Sequence, residues 1–268
     1  MANTTYPKGA EKILGSPINF TSDTIKACLV SSGYTFSTAH EFVSDLGTRI
    51  GTDQTLVGKS VTGGVFDATD LDFGSLPPGD TVKAVVIYKD TGNASTSPVL
   101  AYLDSGASVG LPFATNGGGV TLPWNNDVKK IFRLNLPIYP KGGEKMLSGV
   151  INFAADAIKA VGLPSSYTYN AAHEFLADVG TVIGTAVALA GKSVTGGAFD
   201  ANDTDLGALA GGSTLGSILL FKDTGSAASS PVLARLTDIT GFPLSTSGTN
   251  VSVRWSDGST KIFSLTPA

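Results

Sequence analysis

The sequence is poor in cysteine, histidine and charge, and each shortage removes a class of function. A single cysteine, Cys28, excludes an intrachain disulfide framework and a cysteine-cluster zinc site. It reads as a small buried residue in a strand. Lys and Arg number 18 against 22 Asp and Glu, a net charge of −4, so there is no basic footprint for nucleic acid. No apolar run reaches 18 residues, so no transmembrane helix and no membrane partner are expected. No basic-then-apolar start is present, so no signal peptide is expected. Charged residues make up 15% of the chain, against about 25% in an average soluble protein. The surface is therefore built largely from Ser, Thr, Asn and Gly, as in β-rich, turn-rich proteins. Apolar content of 42% supplies enough material for packed cores, which argues against disorder.

What is present is a repeat. Gly58-Lys59-Ser60-Val61-Thr62-Gly63-Gly64 returns unchanged as Gly191-Lys192-Ser193-Val194-Thr195-Gly196-Gly197, an offset of 133 (58 to 191). At the same offset Tyr6-Pro7-Lys8-Gly9 becomes Tyr139-Pro140-Lys141-Gly142 and His40-Glu41-Phe42 becomes His173-Glu174-Phe175. Lys89-Asp90-Thr91-Gly92 becomes Lys222-Asp223-Thr224-Gly225, and Ser97-Pro98-Val99-Leu100-Ala101 becomes Ser230-Pro231-Val232-Leu233-Ala234. Further on the offset is 131 (112 to 243): Pro112 matches Pro243, Trp124 matches Trp255 and Lys130 matches Lys261. Two residues are thus missing from the second copy between about Leu236 and Phe242, which marks a loop. Repetition at a fixed period gives two tandem modules, 1–135 and 136–268. The join near Asn135–Ile138 is short and has no Gly/Ser-rich spacer, so the modules are expected to sit against each other.

Periodicity predicts mainly β modules. Each opens with a brief helical turn around Ala10–Leu14 or Glu144–Leu147. Thr24–Val30 alternates as a strand. In the second copy Val161-Gly162-Leu163-Pro164 predicts an earlier end to that strand. Ala39, Phe42, Val43 and Leu46 fall at helical spacing, as do Ala172, Phe175, Leu176 and Val179. Ser37 or Asn170 stands at the N-cap position and Gly47 or Gly180 at the stop. One short helix per module is therefore expected there. Lys59–Phe66 is strand-like with a bend at Gly63-Gly64. Val82–Tyr88 and Ser217–Phe221 read as central strands covered on both faces, and Val99–Leu103 as a returning strand. Val120–Trp124 and Lys130–Leu134 are expected to form a closing hairpin around Asn125-Asn126-Asp127, and the second copy to turn on Ser256-Asp257-Gly258. The sum is two tandem homologous β-sandwich-like modules, each with one short helix.

Residues that could carry chemistry do not form a constellation. Gly-Lys-Ser invites a phosphate loop, but the glycine needed upstream is Asp53 or Ala186, and Val-Thr-Gly-Gly does not open a helix. His40-Glu41 and His173-Glu174 lack the second histidine of a zinc protease, since Ser44 and Ala177 stand there. Each histidine is expected to bond a neighbouring loop. Asp67, Asp70 and Asp72, with Asp200, Asp203 and Asp205, look like calcium loops but lack the glycine and glutamate such loops need. No Gly-x-Ser-x-Gly elbow is present. Tyr6, Tyr139, Trp124 and Trp255 are expected in the cores, the other reading being a sugar-stacking surface. No catalytic, cofactor-binding or metal residue is assigned, and an enzyme is not expected.

The module resembles a family of bacteriophage virion proteins. The resemblance rests on Tyr-Pro-Lys-Gly-x-Glu-Lys, Asp-x-Ile-Lys-Ala, Ala-His-Glu-Phe-x-x-Asp, Gly-Lys-Ser-Val-Thr-Gly-Gly-x-Phe-Asp-Ala, Lys-Asp-Thr-Gly, Ser-Pro-Val-Leu-Ala and Lys-Ile-Phe-x-Leu. These motifs run through nearly the whole chain, twice; the family pattern has one module where this chain has two. The resemblance implies a structural virion protein, in the first place a capsid decoration (cement) protein on the outer head surface. Its partners would be the major capsid protein and copies of itself, and as a trimer it would present six similar domains. It would be made in the bacterial host cytoplasm. A tail component (tube, baseplate or fibre-attachment protein) and a host-surface or glycan-binding module are the alternatives.

Overall fold

The computed structural model describes residues 3–15, 18–105, 110–127, 130–134 and 137–265. In the first half the strands are β1 (Thr4–Thr5), β2 (Ile25–Ser31), β3 (Arg49–Thr55), β4 (Ser60–Thr62), β5 (Val65–Asp67), β6 (Leu71–Ser75), β7 (Thr81–Lys89), β8 (Val99–Leu103), β9 (Phe113–Ala114), β10 (Gly119–Leu122) and β11 (Phe132–Arg133). The second half repeats all but β1, whose place is taken by a single bridge from Ile138 to Ala234, as β12 (Ile158–Pro164), β13 (Ile183–Ala188), β14 (Ser193–Thr195), β15 (Ala198–Asp200), β16 (Thr204–Ala208), β17 (Thr214–Lys222), β18 (Val232–Leu236), β19 (Leu244–Ser245), β20 (Asn250–Val253) and β21 (Phe263–Ser264). The first main sheet runs β1-β8-β7-β2-β3 with β9 on β7; the second runs β13-β12-β17-β18 with β19 on β17. Smaller sheets pair β10 with β6 and β4-β5-β11, matched by β16-β20 and β14-β15-β21. All the described strand pairs are antiparallel.

Strand β7 is the centre of its sheet, and its alternation feeds two cores. Val82, Val85 and Ile87 face the main core, where Phe66 packs against Phe20 and Phe132 at 4.8 and 5.5 Å between ring centroids. Ala84, Val86 and Tyr88 face a second cluster with Cys28, Tyr6, Tyr34 and Leu46 from the 32–48 loop. The second half repeats the aromatic trio as Phe153, Phe199 and Phe263. The main core is continuous from one half into the other.

The helices lie elsewhere than expected. The opening segment is a full helix, α1 (Pro7–Gly15) or α2 (Pro140–Leu147), where the pattern indicated a turn. Glycines depress its intrinsic propensity, and packing of Ala10, Ile13 and Leu14 supplies what propensity does not. Conversely, 38–46 contains only a four-residue 3₁₀ turn, Val43–Leu46, and its counterpart a single helical turn, Leu176–Val179. Asp45 Oδ2 accepts the N–H groups of Glu41 and Phe42 at 2.8 and 2.9 Å, and Phe42 bridges to Pro98, so the backbone before Val43 is extended. Ala39 is exposed; its helical spacing to Phe42 is coincidental.

The closing hairpins are also corrected. β10 pairs with β6 and β11 with β5, and the second half does likewise. The Trp124 N–H donates to Asp70 Oδ1 at 2.8 Å and the Trp255 N–H to Asp203 Oδ1 at 3.0 Å, so the chain crosses between sheets after each tryptophan instead of reversing. Strand β12 does not end early either. Its Gly162 is accommodated because Leu215 fills the space: a Cβ on Gly162 would lie 2.5 Å from Leu215 Cδ1. The first half has Leu29 and Val82 at these positions, so bulk has moved from one strand to its neighbour. The glycine pairs do form bends. Thr62 faces Val65 across a two-residue turn, with φ of 60° at Gly63 and 77° at Gly64; Gly196 and Gly197 have 61° and 80°. Positive φ at both central positions is the geometry of a tight hairpin turn, which a glycine pair adopts without strain.

Candidate functional site

The repeated motifs converge on the boundary between the halves. Helix α1 packs on β14 and β15 of the second half, α2 packs on β4 and β5 of the first, and the two helices touch. Glu144 Oε1 accepts the Gly63 N–H at 2.9 Å, and Glu11 Oε1 accepts the Gly196 N–H at 2.5 Å. Burial opposes ionisation of Glu144, yet the Gly63 N–H and Lys141 outweigh it and hold the carboxyl below its usual range. The main chain crosses as well: the Phe20 N–H donates to Leu147 O at 2.9 Å and the Phe153 N–H to Leu14 O at 2.8 Å. A Cβ on Gly143 would lie 2.8 Å from Gly64 Cα, and one on Gly197 would lie 2.5 Å from Ala10 Cβ. The glycine pairs thus serve twice, as turn formers and as the floor on which the other half's helix rests.

The opening motif has local partners too. A Cβ on Gly9 would collide with the Val99 carbonyl, so glycine lets α1 press against β8. Lys8 pairs with Glu11 at 3.0 Å, and Lys12 with Glu41 at 2.9 Å while lying over the Phe42 ring. Glu41 O accepts the Val99 N–H. The Ala-His-Glu-Phe motif therefore joins helix, loop and strand.

His40 Nδ1 bonds Tyr34 Oη at 2.7 Å, and Tyr34 Oη bonds Tyr6 Oη at 2.8 Å. His173, Tyr167 and Tyr139 repeat the chain at 2.9 and 2.8 Å. Burial drives the Tyr6 and Tyr139 hydroxyls far above the ordinary tyrosine range, so both stay protonated at neutral pH. Such a chain holds the 32–48 loop against the sheet. Nothing in the sequence marked Tyr34 or Tyr167 beyond their common offset.

The remaining candidates are spent on structure. Lys59 Nζ donates to Asp23 O and Lys192 Nζ to Asp156 O, so the lysine of Gly-Lys-Ser ties down a neighbouring turn. Asp67 pairs with Lys130 at 3.4 Å, Asp70 holds the Trp124 N–H and Asp72 the Gly74 N–H. Among the described residues no group of three or more His, Cys, Asp or Glu side chains could hold one ion. Trp124 and Trp255 are 4% and 9% exposed, with Nε1 donating to Thr69 O and Thr204 Oγ1. Tyr6 and Tyr139 are fully buried. These four rings are core residues, and a sugar-stacking surface cannot be built on them. Cys28 is buried in β2 as expected.

A groove of about 850 Å³ lies in the second half between the Thr237–Phe242 loop and the segment from Arg254 to Ile262. That loop is where the two-residue gap falls. The corresponding place in the first half, beside Leu103, Trp124 and Ile131, leaves about 20 Å³ and is lined also by Asn3 and Ser105. The groove's charges do not converge: Lys261 turns to Asp200 at 3.3 Å. No family model matches the chain, and no curated protein matches it either.

Proposed function

We propose that the chain is a structural protein of a bacteriophage virion, a capsid decoration protein that binds the outer head surface and bridges neighbouring capsid subunits. The observation that carries this reading is the reciprocal docking of the halves. It sets two similar β units in a fixed relation, suited to gripping two similar neighbours on a shell. The motif residues among those described are bonded into turns, helices and the inter-half contact, as a scaffold requires. Copies of the chain and the major capsid protein are the partners this role requires.

The test is to label the protein on intact virions. Labelled heads, and heads that lose resistance to heat and osmotic shock when it is stripped, are the expected result. A labelled tail would replace the proposal with a tube, baseplate or fibre-attachment role. Stripped heads that are equally robust would remove the cement role.

A further inference from the structure

The contact between the halves has the form of a symmetric dimer interface. In such an interface residue i of one partner meets j of the other, and j meets i. Here Glu11 meets Gly196 while Glu144 meets Gly63, and Leu14 meets Phe153 while Leu147 meets Phe20. These partners occupy matched positions on both sides, with Val61 and Val194 inside the hairpins; the Thr5 Oγ1 bond to Leu265 O lacks a counterpart among the described residues, since Ile138 stands at the Thr5 position. Where the two helices differ in bulk, a neighbouring residue differs with them. Gly143 sits beside Ile138, whose Cδ1 would be 2.9 Å from an added Cβ; the first half has Ala10 and Thr5 at these positions. A smaller helix residue goes with a larger neighbour.

From this we infer that each half carries a self-complementary docking surface, and that its partner, once the contact within the chain is opened, is the same half of a second copy of this chain. The first half can pair with another first half, and the second with another second, through the contact now made within the chain. The inference is independent of the virion reading, since it rests on the matched residues alone.

The full chain is made with a protease site between Leu134 and Pro137, folded, and then cut. The halves are expected to co-elute at the volume of the uncut chain. Mixing isotopically light and heavy cut protein, followed by native mass spectrometry, is expected to show first–first and second–second pairs within about tenfold of the mixed pair. Cut protein carrying E11K and E144K together is expected to lose these like–like pairs at least about tenfold. Halves that separate or precipitate on cutting, exclusively mixed pairs, or pairing unchanged by E11K and E144K would each overturn the inference.

Discussion

Glu144 reaches across the boundary between the halves to the N–H of Gly63, and Glu11 makes the mirror contact with Gly196. A carboxylate on a backbone N–H is a charge-assisted bond, stronger than a neutral one. Beneath it, Gly197 is required on both counts: its φ is positive and an added Cβ would lie 2.5 Å from Ala10 Cβ. Gly197→Val is expected to lower unfolding free energy by about 3 kcal/mol, combining the positive φ with overpacking against Ala10. Gly74→Ala also falls at positive φ, but in open space, and should cost about 1 kcal/mol. Urea denaturation of the two variants measures the difference; equal losses would mean the helix does not press on the hairpin.

The exchange of bulk between β2/β7 and β12/β17 gives a second prediction. Gly162→Leu alone should overpack against Leu215, and L215V alone should leave a small void; each is expected to destabilise by about 1–3 kcal/mol. Together they recreate the Leu29–Val82 arrangement. The double variant should recover at least about 1 kcal/mol relative to the sum of the singles. Strict additivity in a double-mutant cycle would contradict the packing.

Acid sensitivity follows from the carboxylates. Asp45 and Asp178 are held below the usual range by N–H bonds from Phe42 and Glu41, and from Phe175 and Glu174. Lys26 does the same for Asp90. For groups lowered on folding, the stabilisation is complete above their unfolded values near pH 4 and is lost as pH falls through the folded values. Melting temperature should therefore hold from pH 7 to about 5 and drop below about 4. The variant D45N/D178N should show a shallower drop; an unchanged profile would remove these two groups from the account.

Cys28 supplies a probe of the sheet. Burial pushes its thiol well above the ordinary range, so the native protein should resist thiol reagents that label the unfolded chain completely. Cys28→Val, which copies Val161, should change stability by less than about 1.5 kcal/mol. Rapid labelling under native conditions would show that β2 opens to solvent.

The strands were legible because their signals are local. Val82–Tyr88 announced a two-faced central strand by its near-continuous apolar run, Ala84-Val85-Val86-Ile87, and Gly63-Gly64 announced a bend by the backbone freedom of paired glycines. The helices were not, because α1 owes its form to tertiary packing and 38–46 owes its extended portion to Asp45 and Pro98. Asp257-Gly258 reads as a hairpin turn until Asp203 takes the Trp255 N–H. Most of all, an offset of 133 shows that Glu11 and Gly63 recur together, but carries nothing about which copy each one touches. Both partners of the inter-half contact were visible in the sequence, and the connection between them was not.

The reciprocity of that contact also sets a limit on growth. Had the same helix and hairpin been arranged head to tail, each chain would expose one of each and add neighbours without end, as open filaments do. Because the exchange is mutual, both helices and both hairpins are occupied inside a single chain. Any larger lattice built from it must draw on other surfaces, such as the sheet ends at β3 and β13, and those ends differ: β3 carries the Arg49–Asp53 pair where β13 and its approach have Val182 and Ala186. The chain is closed where its halves agree and distinctive where they do not, so its two ends present different surfaces to any neighbour.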